Sequence, residues 1–416
     1  MNENHSQGEF IYKRRWIGPS VRAAVATFPV VVITGARQVG KSTFVRNEFP
    51  DFKYINLDDF PAYQQAKSDP SSLWTGHDRI ILDEAQRAPE IFGAIKSSVD
   101  QSQRKMRFLL SGSSNLLLMR SISETLAGRA VYFEMLPMSY GEMYGDGQGF
   151  QNMSNLFDPA YEAKGLDGEL IDPLPYLIKG FMPPLLNLTN KSDVLLWWEG
   201  YVKTYLERDL RELSQVESLI DFRKVLEGAA LRTGNLLNQT EISRDTGVSQ
   251  PTVSRYVKLL EVSNIVSRVP AYYSSRVKRT VKSPKIFFVD PGLSIYLAKY
   301  HDEDSLRKGR ELGSFFETLV YLHLKIFSEL LVPKASLFYW RTTTGKEVDF
   351  ILEHGRKLLA FEVKLTPNPT LGDIKNLLTF IEENPHTLRG VLIHAGKSIR
   401  WLNSKVLAVP WTWLAQ

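Results

Sequence analysis

The sequence predicts an α/β protein with a parallel sheet in its first part and a smaller mixed α/β unit in its last part. Up to about Met143, short apolar runs alternate with helix-like stretches, which is typical of a parallel sheet covered by helices. A compact helical unit is expected over about 221–270. From about Leu312 the pattern indicates a helix, three strands, a second helix and a further strand.

The composition is that of a globular protein. Of the 416 residues, 43% are hydrophobic and 23% are charged, which provides enough apolar material for several packed cores. At roughly 100–200 residues per domain, this length suggests about two to four domains. The formal net charge of +5 permits nucleic-acid binding without requiring it.

The residue types also bear on location. Cysteine is absent, which excludes disulfides, thiolate metal sites and a cysteine nucleophile, and fits a reducing cytoplasm. The N-terminal stretch lacks the basic-then-apolar pattern of a signal peptide. No window reaches about 18 uninterrupted apolar residues, so no transmembrane helix is expected. We therefore predict a cytoplasmic protein with no membrane partner.

Composition shifts and helix signals divide the chain into four predicted parts. From Tyr144 to Gly168 the residues change to Gly, Asp, Asn and Ser, which indicates a connection or a surface insertion. We predict a parallel-sheet domain, a connection with a helical lid, a winged helix-turn-helix and a C-terminal α/β domain. Their ranges are 1–143, 144–222, 223–290 and 291–416.

The first motif joins a strand to a loop and a helix. The buried-strand pattern Val30–Thr34 runs into Gly35-Ala-Arg-Gln-Val-Gly-Lys-Ser-Thr43, which matches G-x-x-x-x-G-K-[ST] in its strand–loop–helix context. Glycines let the backbone wrap phosphates, and amides at a helix N-terminus point at an anion. Lys41 is predicted to reach the β- and γ-phosphates and Ser42 to bind Mg²⁺, the alternative being a chance glycine-rich turn. The predicted ATP-binding residues are Gly35, Ala36, Arg37, Gln38, Val39, Gly40, Lys41, Ser42 and Thr43.

A second strand ends in two carboxylates. The string Arg79-Ile-Ile-Leu-Asp-Glu-Ala-Gln86 has the Walker B pattern. Asp83 is predicted to hold Mg²⁺, directly or through water, and Glu84 to orient and polarise the attacking water. The alternative is a strand that ends in a helix cap, because Asp and Glu both favour helix starts.

A third strand, within 107–111, runs into small polar residues. Parallel strands place ligand groups at their carboxyl ends. Asn115 or Ser113 is therefore predicted to reach the γ-phosphate or the lytic water. An ordinary polar strand end is the alternative.

These motifs, together with Leu126-Ala-Gly-Arg129 and Leu136-Pro-Met-Ser139, resemble the predicted AAA+ ATPases of bacteria and archaea that carry a C-terminal domain of unknown function. Tyr201-Val-Lys-Thr-Tyr-Leu-Glu-Arg-Asp-Leu210 and the later strings Glu347-Val-Asp-Phe350 and Glu362-Val-Lys364 fit the C-terminal half of that family. The resemblance implies a P-loop NTPase fold of AAA+ type, ATP binding and ATP hydrolysis.

The arginine of the Ala-Gly-Arg string is a further candidate. Arg129 is expected to act as an arginine finger or sensor, in cis or from a neighbouring subunit of a homo-oligomer, where it would stabilise charge on the transferring phosphoryl group. The alternative is a surface arginine paired with Glu124 or Glu134. Arg37 is expected to flank the phosphates or face solvent.

The stretch Leu237–Leu260 is patterned for two short helices. Thr240 is expected to cap the first, Gly247 to form the turn and Ser249 to start the second. The second helix has one apolar face and several polar residues, as a recognition helix has in a major groove. The following basic run suits phosphate contacts and consists of Arg276, Lys278, Arg279, Lys282 and Lys285. DNA is therefore a predicted partner, and the alternative is a module for protein contacts or a lid on the ATPase.

Acidic and basic residues come together in the last part of the chain. The strand patterns within 347–352 and 357–364 are separated by a turn, so a hairpin brings Asp349 close to Glu362 and Lys364. Two carboxylates and a lysine at one sheet edge are suited to bind Mg²⁺ and to activate water for phosphodiester cleavage.

This constellation resembles the core of the PD-(D/E)xK nucleases, which have a restriction-endonuclease-like α/β fold. The resemblance implies catalytic roles for Asp349, Glu362 and Lys364. It also implies metal ligation by Asp349 and Glu362, with Glu317 as the extra acid of that fold. Val348 stands where the motif has proline. The alternative is a fold kept without catalysis, since charged side chains on a sheet also form ordinary surface pairs.

Three functions remain open from the sequence. The favoured one is a Mg²⁺-dependent, ATP-hydrolysing molecular switch on DNA, in which ATP repositions the winged helix and the nuclease-like domain. The second is a regulatory or signalling ATPase whose C-terminal half mediates protein interaction without nuclease activity. The third is a metal-dependent nuclease in which ATP only gates access.

Overall fold

The first sheet is parallel and has five strands. The computed structural model describes residues 12–112, 125–145, 150–163, 169–209, 216, 218–275, 279 and 282–415. The spatial order of the strands is β2-β3-β4-β1-β5. They are β1 Val30–Thr34, β2 Lys53–Asn56, β3 Arg79–Asp83, β4 Arg107–Ser111 and β5 Ala130–Glu134. Every residue of β1 is buried, as expected for a run of Val and Ile in the centre of a parallel sheet.

Among the described residues, this part of the chain has four helices: α1 Gly18–Thr27, α2 Lys41–Glu48, α3 Phe60–Ser68 and α4 Ile91–Gln101. The predicted parallel sheet with helices is confirmed. Because the strands are parallel, the carboxyl ends of β1, β3 and β4 lie at one edge of the sheet. This edge holds the loop that begins at Gly35 and the side chain of Asp83.

A helical connection follows. Its elements are α5 Tyr140–Tyr144, α6 Gln151–Asn155, α7 Leu174–Lys179, α8 Lys191–Tyr201 and the π-helix Val202–Asp209. A capping box starts α5, because Ser139 accepts from the backbone N–H of Glu142 and the Glu142 carboxylate accepts from that of Ser139.

The middle unit combines three helices with a small antiparallel sheet. The helices are α9 Leu219–Ala230, α10 Gln239–Thr246 and α11 Gln250–Val262. The sheet has the order β6-β8-β7, with β6 Asn235–Leu236, β7 Val266–Val269 and β8 Lys285–Phe288. Gly247 ends α10 in the left-handed region, as predicted, whereas the cap of α10 is Asn238 rather than Thr240. Asn238 precedes the first helical residue, and only there can a side chain accept from the free N–H of Glu241.

The C-terminal unit is a six-stranded mixed sheet with helices. The helices after the middle unit are α12 Pro291–Leu297, α13 Glu303–Lys308, α14 Leu312–Leu330 and α15 Lys375–Glu383. The strands, in the spatial order β13-β14-β12-β11-β10-β9, are β9 Ser336–Arg341, β10 Glu347–His354, β11 Lys357–Lys364, β12 Thr387–His394, β13 Arg400–Trp401 and β14 Val406–Pro410. The predicted α/β unit is confirmed. No helix of the described residues is long and apolar enough to cross a membrane.

Candidate functional site

The backbone of the loop between β1 and α2 has glycines at two positions with positive φ angles. A Cβ at Gly35 would lie 2.2 Å from the carbonyl oxygen of Met135, and its φ of 146° is unfavourable for other residues. Gly40 precedes α2 with a φ of 91°. The loop therefore turns sharply into a helix whose first N–H groups have no acceptor within the helix, as an anion site requires.

Lys41 lies inside this loop. Its ammonium donates to the carbonyl oxygens of Gly35 at 2.9 Å and Ala36 at 2.8 Å. Burial lowers the pKa of Lys41 to about 8, against the opposing effect of the Glu84 and Asp83 carboxylates. Two neutral carbonyls thus hold a buried cation, which leaves its charge available for an anionic ligand.

The carboxylate of Asp83 lies at the end of β3 and is buried. One of its oxygens accepts from the Tyr54 hydroxyl at 2.6 Å, and the other accepts from the Ser111 hydroxyl and the Glu84 backbone N–H. These bonds fix the carboxylate at the edge where β1 ends. Tyr54 and Ser111 were not singled out from the sequence, because their role depends on strand order rather than on a motif.

The next residue, Glu84, has a left-handed backbone with a φ of 54°. This conformation is uncommon for a residue other than glycine and occurs often at functional sites. The side-chain amide of Gln86 donates to the Glu84 carboxylate. This hydrogen bond orients the Glu84 side chain. Glu84 follows Asp83 directly, at the sheet edge that also holds Lys41.

The oxygen ligands at this edge are suited to magnesium. Ser42 is in the first turn of α2, and Asp83 supplies a carboxylate near the same loop. Mg²⁺ usually takes one or two protein oxygens and completes its shell with waters and phosphates. Within the described ranges, no group of three or more His, Asp or Glu side chains is arranged to hold a metal ion. A hydroxyl and one carboxylate beside a phosphate loop nevertheless fit the ion, and the metal roles of both residues stay predictions.

Two other candidates for the nucleotide site have different outcomes. Asn115, like Ser113, is outside the described residues. Arg129 pairs with Asp100 through two bonds of 2.9 and 2.8 Å. Its carbonyl oxygen accepts from the N–H of Val30, so it lies at the end of β1 opposite to Gly35. The structure does not bring Arg129 to the loop of its own chain. It is a partly exposed arginine in an ion pair, as the alternative held, although its partner is Asp100. Its role toward a neighbouring subunit stays a prediction.

Sequence reasoning also missed a buried arginine that braces the loop. Arg15 donates to the carbonyl oxygen of Val39 at 2.8 Å and to that of Leu136 at 2.6 Å. It also forms a buried ion pair with Glu142 at 3.1 Å. The capping box at Ser139 was a signal that Glu142 would be ordered, but nothing in the sequence joins Glu142 to Arg15.

The C-terminal carboxylates lie close together at the hairpin of β10 and β11. Phe350 pairs with Phe361, which places Asp349 beside Glu362 on neighbouring strands. Asp349 accepts from the backbone N–H of Val363 at 2.8 Å, and Lys364 pairs with Glu362 at 2.8 Å. Burial and the adjacent Asp349 carboxylate raise the pKa of Glu362. The predicted juxtaposition of Asp349, Glu362 and Lys364 is thus present.

A lysine from the middle unit enters this carboxylate cluster. Lys285, the first residue of β8, has its ammonium 2.9 Å from Glu317, 2.6 Å from Glu347 and 3.8 Å from Asp349. Burial lowers the pKa of Lys285, but the three carboxylates together outweigh burial and raise it. The sequence placed Lys285 in a basic run for phosphate contacts, and its partners on α14 and β10 were not foreseen.

Comparisons with known proteins agree with the nucleotide-site geometry. Residues 27–144 match the model of a family described as an AAA domain. This part of the chain is an AAA-type P-loop ATPase domain. Residues 173–304 and 312–414 match two further families, described as domains of unknown function, DUF8612 and DUF4143.

Several uncharacterized proteins are similar to the chain that carries this ATPase domain. One from Mycobacterium tuberculosis is 28% identical over 403 residues, covering 96% of this chain and 84% of that protein. Another from Methanocaldococcus jannaschii is 23% identical over 367 residues, covering 83% of this chain and 76% of that protein. A solved Walker-type ATPase of Pyrococcus abyssi is 16% identical, covers 69% of this chain and 96% of its own, and has a TM-score of 0.44. No conclusion rests on that last likeness.

A small pocket borders the phosphate loop of the ATPase domain. Its walls come from the N-terminal segment, the loop and the 3₁₀ turn that begins at Pro183, and Pro183 lies 3.5 Å from where a Cβ of Gly40 would be. The lining is mostly apolar and includes Tyr12, Lys13, Gly40, Thr43, Pro183 and Leu186. A flat apolar group next to a bound triphosphate would be in contact with these residues.

Two tyrosines connect the ATPase loop with the middle unit. The Tyr201 hydroxyl donates to the carbonyl oxygen of Arg37 at 3.4 Å, and the Arg37 guanidinium lies 5.9 Å from the ring centre of Tyr205. The Tyr205 hydroxyl then donates to the carbonyl oxygen of Ser263 at 3.3 Å. Ser263 directly follows α11, so a chain of contacts runs from the phosphate loop to that helix.

The predicted faces of α11 are confirmed. Val253, Tyr256, Val257 and Leu260 are buried, whereas Gln250, Ser254, Arg255 and Lys258 are exposed. The basic run after β7 behaves differently. Arg279 binds both oxygens of Glu353 at 2.7 and 3.0 Å, and Lys285 is buried among carboxylates. These two residues are therefore engaged within the protein and not in the phosphate contacts that the run suggested, while Lys282 is exposed.

Proposed function

We propose that the chain is an ATP-hydrolysing switch that acts on DNA through its middle and C-terminal units. The observation that carries the proposal is the contact chain from Arg37 through Tyr201 and Tyr205 to Ser263, at the end of α11. A nucleotide that changes the phosphate loop also changes the position of these tyrosines. A two-state element biased by the γ-phosphate is the common basis of such switches.

The residues of the loop have distinct tasks in this proposal. Lys41 leaves the carbonyls of its own loop and binds the β- and γ-phosphates, while the first N–H groups of α2 bind the remaining phosphate oxygens. Ser42 and Asp83 are the residues that would hold Mg²⁺, which neutralises charge on the transferring phosphoryl group. Glu84 orients the attacking water. The base lies against the apolar pocket beside Gly40 and Thr43.

Uptake of labelled ATP tests the nucleotide part of the proposal. Lys41→Ala removes the only ammonium group within this loop sequence, so binding should fall by at least about tenfold, the loss that about 1.4 kcal/mol represents. Equilibrium dialysis with labelled ATP measures it, and Lys96→Ala, an exposed lysine of α4, is the matched control. Equal binding by wild type and both variants would remove the nucleotide site.

DNA contact is supported by the exposed polar face of α11, which includes Arg255 and Lys258. Phosphate contacts release counterions, so the logarithm of the affinity falls by about 0.9 per contact for each unit of log salt. Fluorescence anisotropy with a labelled duplex should give a steep salt dependence. In the double variant Arg255→Gln/Lys258→Gln the slope should fall by about 2.

A control double variant separates local contact from net charge. Lys53→Gln/Lys105→Gln removes two exposed positive charges from the ATPase domain and should leave the slope unchanged. A wild-type affinity that does not vary with salt, or an equal effect of both double variants, would favour the second function. In that case the ATPase is regulatory and its C-terminal half binds protein.

A further inference from the structure

The carboxylate cluster of the C-terminal unit is closed by a residue that belongs to another unit. The Lys285 side chain is only 4% exposed, and its ammonium lies within 3 Å of one oxygen each of Glu317 and Glu347. These acids come from α14 and β10, whereas Lys285 starts a strand of the middle sheet. The contact is therefore an ion-pair junction between two units that match different families.

The charges at this junction do not balance. Four carboxylates, those of Glu317, Glu347, Asp349 and Glu362, face three cationic groups, those of Lys285, Lys364 and Arg341, which leaves one negative charge. Glu362 is 4% exposed, and its second carboxylate oxygen has no hydrogen-bond partner in the part of the chain that the structure describes. A buried carboxylate oxygen without a partner is costly, and an oxygen-preferring divalent cation would satisfy both the charge and this oxygen.

We propose that the Lys285 ammonium occupies the place of a divalent cation and keeps the carboxylate site closed to metal. The inference rests on the proposed action on DNA, with the nuclease-like role that the sequence predicts for these carboxylates, and adds the control of that site. With Lys285 in place, no three of these carboxylates are arranged to hold a metal ion, so the site forms only when β8 withdraws from β10 and α14 and the carboxylates regroup around the metal.

Other contacts between the units hold Lys285 in place. The N–H of Tyr272 donates to the carbonyl oxygen of Tyr339 at 2.6 Å, and the Tyr339 hydroxyl donates to that of Ser283 at 2.6 Å. The ion pair of Arg279 with Glu353 joins the same two units. Withdrawal of β8 therefore has to break these contacts as well, and Tyr201 and Tyr205 connect the middle unit, at Ser263, to the ATPase loop.

Binding of Mn²⁺ to the full chain tests the competition. Without nucleotide, Lys285→Met should bind one Mn²⁺ at least about tenfold more tightly than wild type, a difference of about 1.4 kcal/mol. The added substitution Asp349→Asn should abolish the gain. Electron paramagnetic resonance of free Mn²⁺ measures the occupancy, and circular dichroism checks the fold. Equal Mn²⁺ affinity in wild type and folded Lys285→Met would overturn the proposal.

A measurement on the wild type covers the case in which Lys285→Met does not fold. An amine-acylating reagent, read by peptide mass spectrometry, should modify Lys285 at least tenfold more slowly than the exposed Lys375. Saturating Mn²⁺ should speed the modification of Lys285 and leave that of Lys375 unchanged. Mn²⁺ bound in a manner that requires Asp349, with no change at Lys285, would contradict the competition.

Plasmid nicking distinguishes the closing role of Lys285 from the nuclease-like role of the carboxylates on which it rests. If Lys285→Met gains Mn²⁺ and no variant nicks supercoiled DNA, the closing role of Lys285 stands and the nuclease-like role fails. If wild type already nicks DNA through Asp349 and Lys285→Met gains no Mn²⁺, the nuclease-like role stands and the closing role fails.

Discussion

Lys41 and Lys285 are both buried lysines near carboxylates, yet their surroundings differ in charge. The ammonium of Lys41 is bound by two backbone carbonyls of its own loop, and burial lowers its pKa to about 8. That of Lys285 is bound by carboxylates, which outweigh burial and raise its pKa. A cation held by neutral groups can still bind an anion, whereas a cation held by anions is already neutralised. The first lysine is therefore suited to a ligand, and the second to closing a site.

The largest expected effect tests whether the two carboxylate sites act separately. Glu84→Gln should lower the rate of ATP hydrolysis by about 10²–10⁴-fold, because the attacking water loses its base. Glu362→Gln should change this rate by less than about twofold, because Glu362 supplies no group to the hydrolysis step and coupling between two sites need not alter a catalytic rate constant. A phosphate-release assay measures both, and dialysis confirms that ATP still binds. A large loss of ATP hydrolysis with Glu362→Gln would mean that the carboxylate cluster acts on the hydrolysis step itself.

The next largest effect is on the free energy of unfolding, which we expect to differ between variants of Lys285 and Lys41. Lys285→Met leaves buried carboxylates without their cation and should lower the free energy of unfolding by about 3–5 kcal/mol. Lys41→Met removes hydrogen bonds to neutral carbonyls, each with a net value of about 0.5–1.5 kcal/mol, and also removes the cost of burying a charge. Its change should stay within about 1 kcal/mol.

Urea unfolding followed by tryptophan fluorescence measures both variants at pH 7.5. The exposed Lys375→Met, in the C-terminal unit, controls for the general effect of replacing lysine by methionine. Equal losses for Lys41→Met and Lys285→Met would show that the two environments are energetically alike, which would remove the basis of the comparison.

The contrast between the two lysines also explains how much of each site can be predicted from the sequence. The phosphate loop is a local device, since Gly35 and Gly40 permit the turn and Lys41 binds carbonyls five and six residues away. Its strand context, the parallel sheet and the hairpin near Asp349 could therefore be predicted from short stretches of sequence. Each of these features is specified mainly by residues close in sequence or by a simple pattern of apolar residues.

Contacts between distant segments could not be predicted in this way. Lys285 lies 32 residues from Glu317, and Arg15 lies 127 residues from Glu142. Ion pairs of this kind depend on how the folded units pack against each other. The sequence around a charged residue does not indicate which distant residue will be its partner. For this reason the basic run with Arg279 and Lys285 resembled a phosphate-binding surface although both side chains join the units.

The smallest expected effect concerns a third buried titratable group, which unlike the two lysines is neutral. His323 accepts from the N–H of Tyr140 at 3.0 Å and binds the carbonyl oxygen of Leu319 at 2.8 Å through its other nitrogen. Burial lowers the pKa of His323 to about 4. In the unfolded chain the pKa is about 6.5, so the unfolded state takes up the proton first and stability is lost as the pH falls from about 6.5 to about 4.

This loss should reach at most about 3.5 kcal/mol, since one pKa unit corresponds to about 1.4 kcal/mol. His323→Gln should be less stable than wild type at pH 7, yet its stability should fall less between pH 7 and pH 5. Urea unfolding at both pH values measures the difference, and His301→Gln, at an exposed position, is the control. A wild-type pH dependence equal to that of His323→Gln would mean that folding does not shift the pKa of His323. Burial would then fail to distinguish groups held by neutral partners from groups held by carboxylates, and the contrast between Lys41 and Lys285 would lose its physical cause.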